Sequence, residues 1–419
     1  MKTICFLLLI ISSCTCAEIS RAESSAQPVD FDKARQIFER MNKGETVSAD
    51  EKAYVERAKA EHARRGAGKP GDGGAASGID WEKAKVLHQR EQRGEKLADE
   101  EQRYLDRAKA ARGQRPGGGS GGRAGGGAQR KAPEHLVPLT DMAASDKYEG
   151  EDGGLYGGGS NQPPVAQRKA AEDALALIKP LDAGGKPSAD GRIVFISISM
   201  SNATMEFSAF KRIADAAPQK SAKVTVVDCA QGGQAMAAWS SPDAHPWGEA
   251  LSRLERAGVT PQQVQAAWIK LANAGPSGTM KEHLDLLEAD TVSVLQLAQQ
   301  KFPNLRVAYL GSRIWAGNAS TGLNPEPYAY EGAFACRHLI QKQMNGDAAL
   351  AAGKVPVLLW GPYLWAEGTK GRKTDNLVWT AEDFGRDGTH PSESGREKVA
   401  KQLLDFFSTD PLAKGWFAK

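Results

Sequence analysis

"RIVFISISMSNATMEF", residues 192–207, passes from a continuous apolar run into a segment of helical character. The run is short and rich in β-branched and aromatic residues, which predicts a buried strand over 192–199. The Phe- and Ala-rich segment behind it predicts a helix to about Ala216. A strand apolar on both faces belongs in a parallel sheet covered by helices on each side, whereas a sheet with one wet face alternates apolar and polar residues. The fold therefore turns on whether the same unit recurs.

It recurs four times. "AKVTVVDCA" (222–230), "VQAAWIKLA" (264–272), "NLRVAYLGS" (304–312) and "KVPVLLWGP" (354–362) read as further strands. Segments over about 279–301, 327–344 and 393–407 read as helices. The alternation implies an α/β domain with a parallel sheet between two helical layers, from about Ala166 to the end. In such sheets, sites form where loops leave the carboxyl ends of strands.

Each exit carries polar residues. Ser201 follows the first strand where a helix begins, so its hydroxyl is exposed beside N–H groups that favour negative charge. Taken alone, Ser199, Ser201 or Asn202 is more simply a helix cap. After the second strand, Gly232 and Gly233 in "QGGQ" allow the close backbone approach that an oxyanion-binding N–H requires, and equally serve a turn. Asn273 in "LANAGP" offers a side-chain amide or a turn residue. Arg313, at the fourth exit, is a candidate contact to a substrate oxygen. Past the fifth strand, "DFGRDGTHPSESGREKVA" (383–400) places Asp387 one turn before His390. A His there can take a proton from a Ser hydroxyl while the carboxylate fixes its tautomer, although an isolated D-x-x-H is common.

The order Ser, Gly, Asn, then Asp-x-x-His, each after a different strand, closely resembles the SGNH (GDSL-like) hydrolase superfamily over roughly 190–408. "DGTHPSESG" is similar to that family's last block. The resemblance implies a three-layer α/β/α, flavodoxin-like domain needing no cofactor or metal. It makes Ser201 the nucleophile, His390 the base and Asp387 the acid orienting it. The oxyanion hole would be the Ser201 N–H, an N–H of Gly232 or Gly233, and the Asn273 side chain. The family's first block normally reads Gly-Asp-Ser; here it is Ser199-Met200-Ser201, without the acidic neighbour. Exported members often deacetylate polysaccharides, so the implied substrate is an acylated small molecule or carbohydrate. The rival expectation is a non-catalytic glycan- or wall-binding protein on a degenerate hydrolase fold.

Other chemistries find little support. "AGGKPS" (183–188) has Pro where a phosphate-binding loop needs Ser or Thr, and neither H-E-x-x-H nor G-x-S-x-G occurs. No Cys/His cluster has zinc-like spacing. A formal charge of +3 over 419 residues, with its basic residues interleaved with acids, gives no footprint for nucleic acid. Trp268, Trp360 and Trp365 read as core or rim packing before they read as a sugar cleft. His245, His283 and His338 have no visible partner and read as surface residues.

The chain opens on "MKTICFLLLIISSCTCAE", one Lys before a short apolar run and small residues, the pattern of a secretory signal over 1–17. Cleavage after Ala17 leaves Glu18 first; "ISSC" also resembles a lipobox, which would leave Cys14 lipidated and tethered to a membrane. Either way the protein is expected to be exported, to periplasm or beyond. Only Cys229 and Cys336 remain outside this segment, as a bridge or as two buried thiols. Residues 29–60 and 79–110 repeat at an offset of 50, sharing Asp30/Asp80, Gly44/Gly94, Tyr54/Tyr104 and the "RAKA" ends. Each copy, over 29–66 and 79–114, reads as a small helical hairpin, with a capping box from Ser48 to Glu51 in the first. Two hairpins bury little core, which suits independent modules or docking elements for a wall or protein partner. A Gly-rich linker is expected over 115–165.

Overall fold

The computed structural model describes residues 129–419 continuously, together with 47–66 and positions 33, 34, 37, 40, 101, 103 and 104. The chain divides into two units, Met1–Gly73 and Gly74–Lys419. In the first, α1 (Ala49–Gly66) opens on the expected capping box. Ser48 N–H donates to Glu51 Oε2 at 2.8 Å, and Glu51 N–H donates to Ser48 Oγ at 3.1 Å. Ile37, Val47 and Val55, with Tyr54 against them, make its small apolar cluster. The signal segment with Cys14, and most of the second repeat, lie outside the described residues.

The second unit is built on five parallel strands: β1 (Ile193–Ile198), β2 (Val224–Val227), β3 (Val264–Lys270), β4 (Val307–Gly311) and β5 (Val357–Trp360). Their order is β2-β1-β3-β4-β5, so the winding reverses between β1 and β3, the place where sheets of this kind form their sites. Helices α2 (Val165–Leu175), α3 (Ser201–Ala216), α4 (Met236–Trp239), α5 (His245–Arg256), α6 (Met280–Lys301), α7 (Tyr328–Met344), α8 (Glu393–Thr409) and α9 (Lys414–Phe417) flank the sheet.

Period-2 alternation in the strands sorts side chains into two cores. Ile193 and Phe195 of β1 pack with Phe207 and Phe210 of α3 and Phe407 of α8. Val194, Ile196 and Ile198 face the other way, onto Leu254 of α5, Leu287 of α6 and Leu339 of α7. The expected three-layer α/β/α architecture is the one observed. The strands are shorter than the runs that announce them because residues at one or both ends of each run belong to the adjoining loops. Helix α5 was not legible as an element, since Pro246 reads as a breaker; at the first turn of a helix it is tolerated.

From residue 129 the segment expected as linker packs on this unit. Leu136, Leu139 and Met142 join the core beside α6 and α7. Arg337 Nη1 donates to Asp152 O at 2.7 Å. Gly153 lies so close that a Cβ there would meet the Met142 carbonyl oxygen at 2.0 Å. Glycine here serves close packing rather than flexibility, which composition alone does not distinguish.

Trp268 and Trp365 are fully buried and Trp360 nearly so, which makes them core. His245 is exposed, but the surface reading of the other two histidines is corrected. His283 is buried with Nδ1 3.1 Å from Glu331 Oε2. His338 stands between Glu288, at 2.8 Å, and Glu151, at 3.1 Å. Both partners come from distant segments, so neither could be seen locally. Cys229 and Cys336 are free and buried, and burial raises both thiols. Among the described residues no helix is long and apolar enough to cross a membrane.

Candidate active site

Strand β1 ends on an unusual backbone. Ser199 has a φ of 145°, in territory that favours glycine, and its carbonyl accepts the Gln231 N–H at 2.9 Å. That bend brings Ser201, half-buried, to the first position of α3. Ser201 Oγ lies 2.7 Å from His390 Nε2. His390 Nδ1 lies 2.5 Å from Asp387 Oδ2. The other carboxylate oxygen, Oδ1, accepts the backbone N–H groups of Thr389 and His390, both at 3.0 Å. Burial disfavours the Asp387 charge, but these amides and the imidazole outweigh it and hold the carboxyl below its ordinary range. With Nδ1 facing a carboxylate, His390 is set to present Nε2 as an acceptor to the Ser201 hydroxyl.

The loop carrying Asp387 and His390 is fixed from several sides. The Thr389 carbonyl accepts Asn202 Nδ2 at 2.9 Å and Arg313 Nη2 at 3.1 Å. Thr321 Oγ1 meets Thr389 Oγ1 at 2.8 Å, and Ser320 N–H donates to Asp387 O at 2.9 Å. Gly388, at φ 61°, has no room for a Cβ, which would stand 1.9 Å from Asn318 O. Arg313, expected as a substrate contact, belongs to this support. It is 3% exposed, and its guanidinium holds the loop backbone instead of reaching into solvent. Below it, Lys270 at the end of β3 and Glu206 on α3 form an ion pair with both side chains fully buried. Burial pushes Glu206 up and Lys270 down; each favours the other's charge, and Arg313 beside them favours that of Glu206 as well.

The residues beside the three expected oxyanion donors meet one another. Met200, Ala235 and Ala272 form a small apolar cluster with Ala274 against it, drawing together the exits of β1, β2 and β3. Gly232 and Gly233 are exposed, and a Cβ on either would meet nothing within 4 Å, so the front of that turn is open. Gly233 has a φ of 77°, which explains its residue type. Asn273 is 6% exposed. Its Oδ1 accepts the Ala237 N–H at 2.9 Å, and its Nδ2 donates one hydrogen to Asp290 Oδ2 at 2.8 Å. Met200, between Ser199 and Ser201, is 6% exposed and receives the Ser199 hydroxyl on its sulfur at 2.7 Å.

The structure thus places Ser201, His390 and Asp387 in one hydrogen-bonded chain, with Gly232, Gly233 and Asn273 on neighbouring exits. Glu206, Lys270 and Asp290 escaped notice in the sequence, and Asn202 stood there only as a candidate helix cap. Lys270 in an apolar strand and Glu206 between the Phe and Ala residues of α3 are charged breaks in apolar patterns, a signal that could have found them.

No family model matches the sequence, and no curated relative matches it. Among solved structures, a protein from Bacteroides fragilis provisionally described as an acylhydrolase is 16% identical, covering 58% of this chain and 96% of that one at a TM-score of 0.29. The periplasmic domain of a lipopolysaccharide acetyltransferase from Salmonella ser. Paratyphi A is 10% identical, covering 58% and 97% at a TM-score of 0.27. The salicylyl-acyltransferase SsfX3 of a tetracycline biosynthetic pathway is 14% identical, covering 54% and 58% at a TM-score of 0.29. Likenesses this slight do not bear on what the chain does. Its fold is read from its own sheet: five parallel strands with helices on both faces.

Proposed function

We propose that the chain is an exported serine esterase of the SGNH type, acting on an acyl group, foremost acetyl, carried by a carbohydrate. The observation that carries this reading is the unbroken contact from Ser201 through His390 to Asp387 at the carboxyl end of the sheet. His390 Nε2 takes the Ser201 proton as Oγ attacks the ester carbonyl. The Ser201 N–H, an N–H of Gly232 or Gly233, and the Asn273 amide receive the oxyanion. The alcohol departs with the proton from the imidazolium, and a water deprotonated by His390 then releases the acid from Ser201. Export rests on the signal segment, and the carbohydrate on the family resemblance.

Turnover of nitrophenyl acetate and release of acetate from acetylated polysaccharide test the proposal. Ser201→Ala should lower kcat by about 10⁴-fold or more. The second reading, a glycan-binding protein, draws on the buried Met200 in place of the family's Asp. It expects no turnover of either substrate and saturable polysaccharide binding that survives His390→Ala.

A further inference from the structure

We infer that Asp290 is a positioning residue of this site: it turns the Asn273 amide so that the hydrogen it does not take faces the oxyanion. The inference rests on the esterase reading and adds a residue to it. Asn273 lies just past β3, but nothing in its own loop sets the rotation of its amide. Two bonds from elsewhere do. The Ala237 N–H, in the first turn of α4, holds Oδ1 at 2.9 Å, and Asp290 on α6 takes one Nδ2 hydrogen at 2.8 Å. An amide is planar, so fixing its oxygen and one hydrogen fixes the direction of the other.

Asp290 is 0% exposed, on a stretch of α6 whose inward neighbours are Leu287, Val294 and Leu295. A carboxylate at such a position costs folding free energy that an apolar residue would not. Its bond to Asn273 ties that amide to a helix packed in the core. Asp290 stands toward Asn273 as Asp387 stands toward His390: a carboxylate behind the working side chain, setting which atom that side chain presents.

The test uses the full chain and three variants, Asp290→Leu, Asp290→Asn and Asn273→Ala, with kcat and KM for nitrophenyl acetate per site titrated by a fluorophosphonate. Losing one oxyanion donor costs about 10²–10³ in kcat, so Asn273→Ala should fall that far and Asp290→Leu by about 10- to 100-fold, with KM within about threefold. Asp290→Asn keeps an acceptor oxygen and should return to within about threefold of the parent. A merely structural role would lower the number of titrated sites and leave kcat per site unchanged. Asp290→Ala stands in, read by the same ratio, if the Leu variant does not fold. Asp290→Leu with parental kcat per site, beside a slow Asn273→Ala, overturns this inference alone. A parent chain that neither reacts with the fluorophosphonate nor turns over ester overturns the esterase reading and this inference with it.

Discussion

Replacing Lys270 by Met should destabilise the protein severely, and replacing Glu206 as well should restore most of what is lost. Lys270 Nζ lies 2.6 and 2.5 Å from the two Glu206 carboxylate oxygens, and neither side chain is exposed to solvent. Removing one partner strands a charge in the interior, which costs about 3–5 kcal/mol. At about 2 °C per kcal/mol for a domain of this size, the midpoint should fall by roughly 6–10 °C. The double variant Glu206→Met/Lys270→Met removes both charges at similar volume. It should recover most of the loss seen in Lys270→Met, short of what the buried Arg313 loses with the Glu206 charge. Guanidinium unfolding followed by tryptophan fluorescence reads all three variants as a double-mutant cycle. A single variant that loses less than about 1 kcal/mol would contradict a buried, mutually dependent pair, as would a double variant no more stable than the single.

Three further outcomes are expected. Ser199→Gly relieves a positive φ at a buried residue, and after the extra unfolded-state entropy of glycine it should stabilise the fold by about 1 kcal/mol; a loss of stability would show that the bend is not strained. Arg313→Met releases one of two donors on the Thr389 carbonyl, so ester turnover should fall about 10- to 100-fold as His390 loses its position; parental turnover would rule out that role. For His338, burial lowers the pKa, but hydrogen bonding and charge from Glu288, with Glu151, outweigh it and leave the group above 6.5. Its stabilisation is then complete below the unfolded value and lost as pH rises through the folded one. The stability gap between the parent and His338→Gln should accordingly be wider near pH 6 than near pH 9, and a gap that widened with pH would contradict the assignment.

The parallel sheet was legible because each strand announces itself as a short apolar run, and buried parallel strands need no alternation to be found. Asp387 and His390 were legible because a turn brings them together within four residues. What supports them was not, since Asn202, Arg313 and Thr321 reach Thr389 from segments far apart in sequence. Composition misled at 129–165, where Gly153 and its neighbours allow close approach to the core. It misled again at His283 and His338, whose nearest carboxylate partners in sequence lie 48 and 50 residues away. The charges of Glu206 and Lys270 were in plain view, but only the pairing of α3 with the end of β3 shows that they neutralise each other.

Esterase chemistry in this chain depends on Ser201 as nucleophile. The direct measurement is the mass of the intact protein after reaction with a fluorophosphonate, followed by mapping of the modified peptide. A single adduct on the peptide holding Ser201, absent from Ser201→Ala and formed far more slowly by His390→Ala, is the predicted result. An adduct that persists in Ser201→Ala, or a parent chain that acquires none, would contradict it.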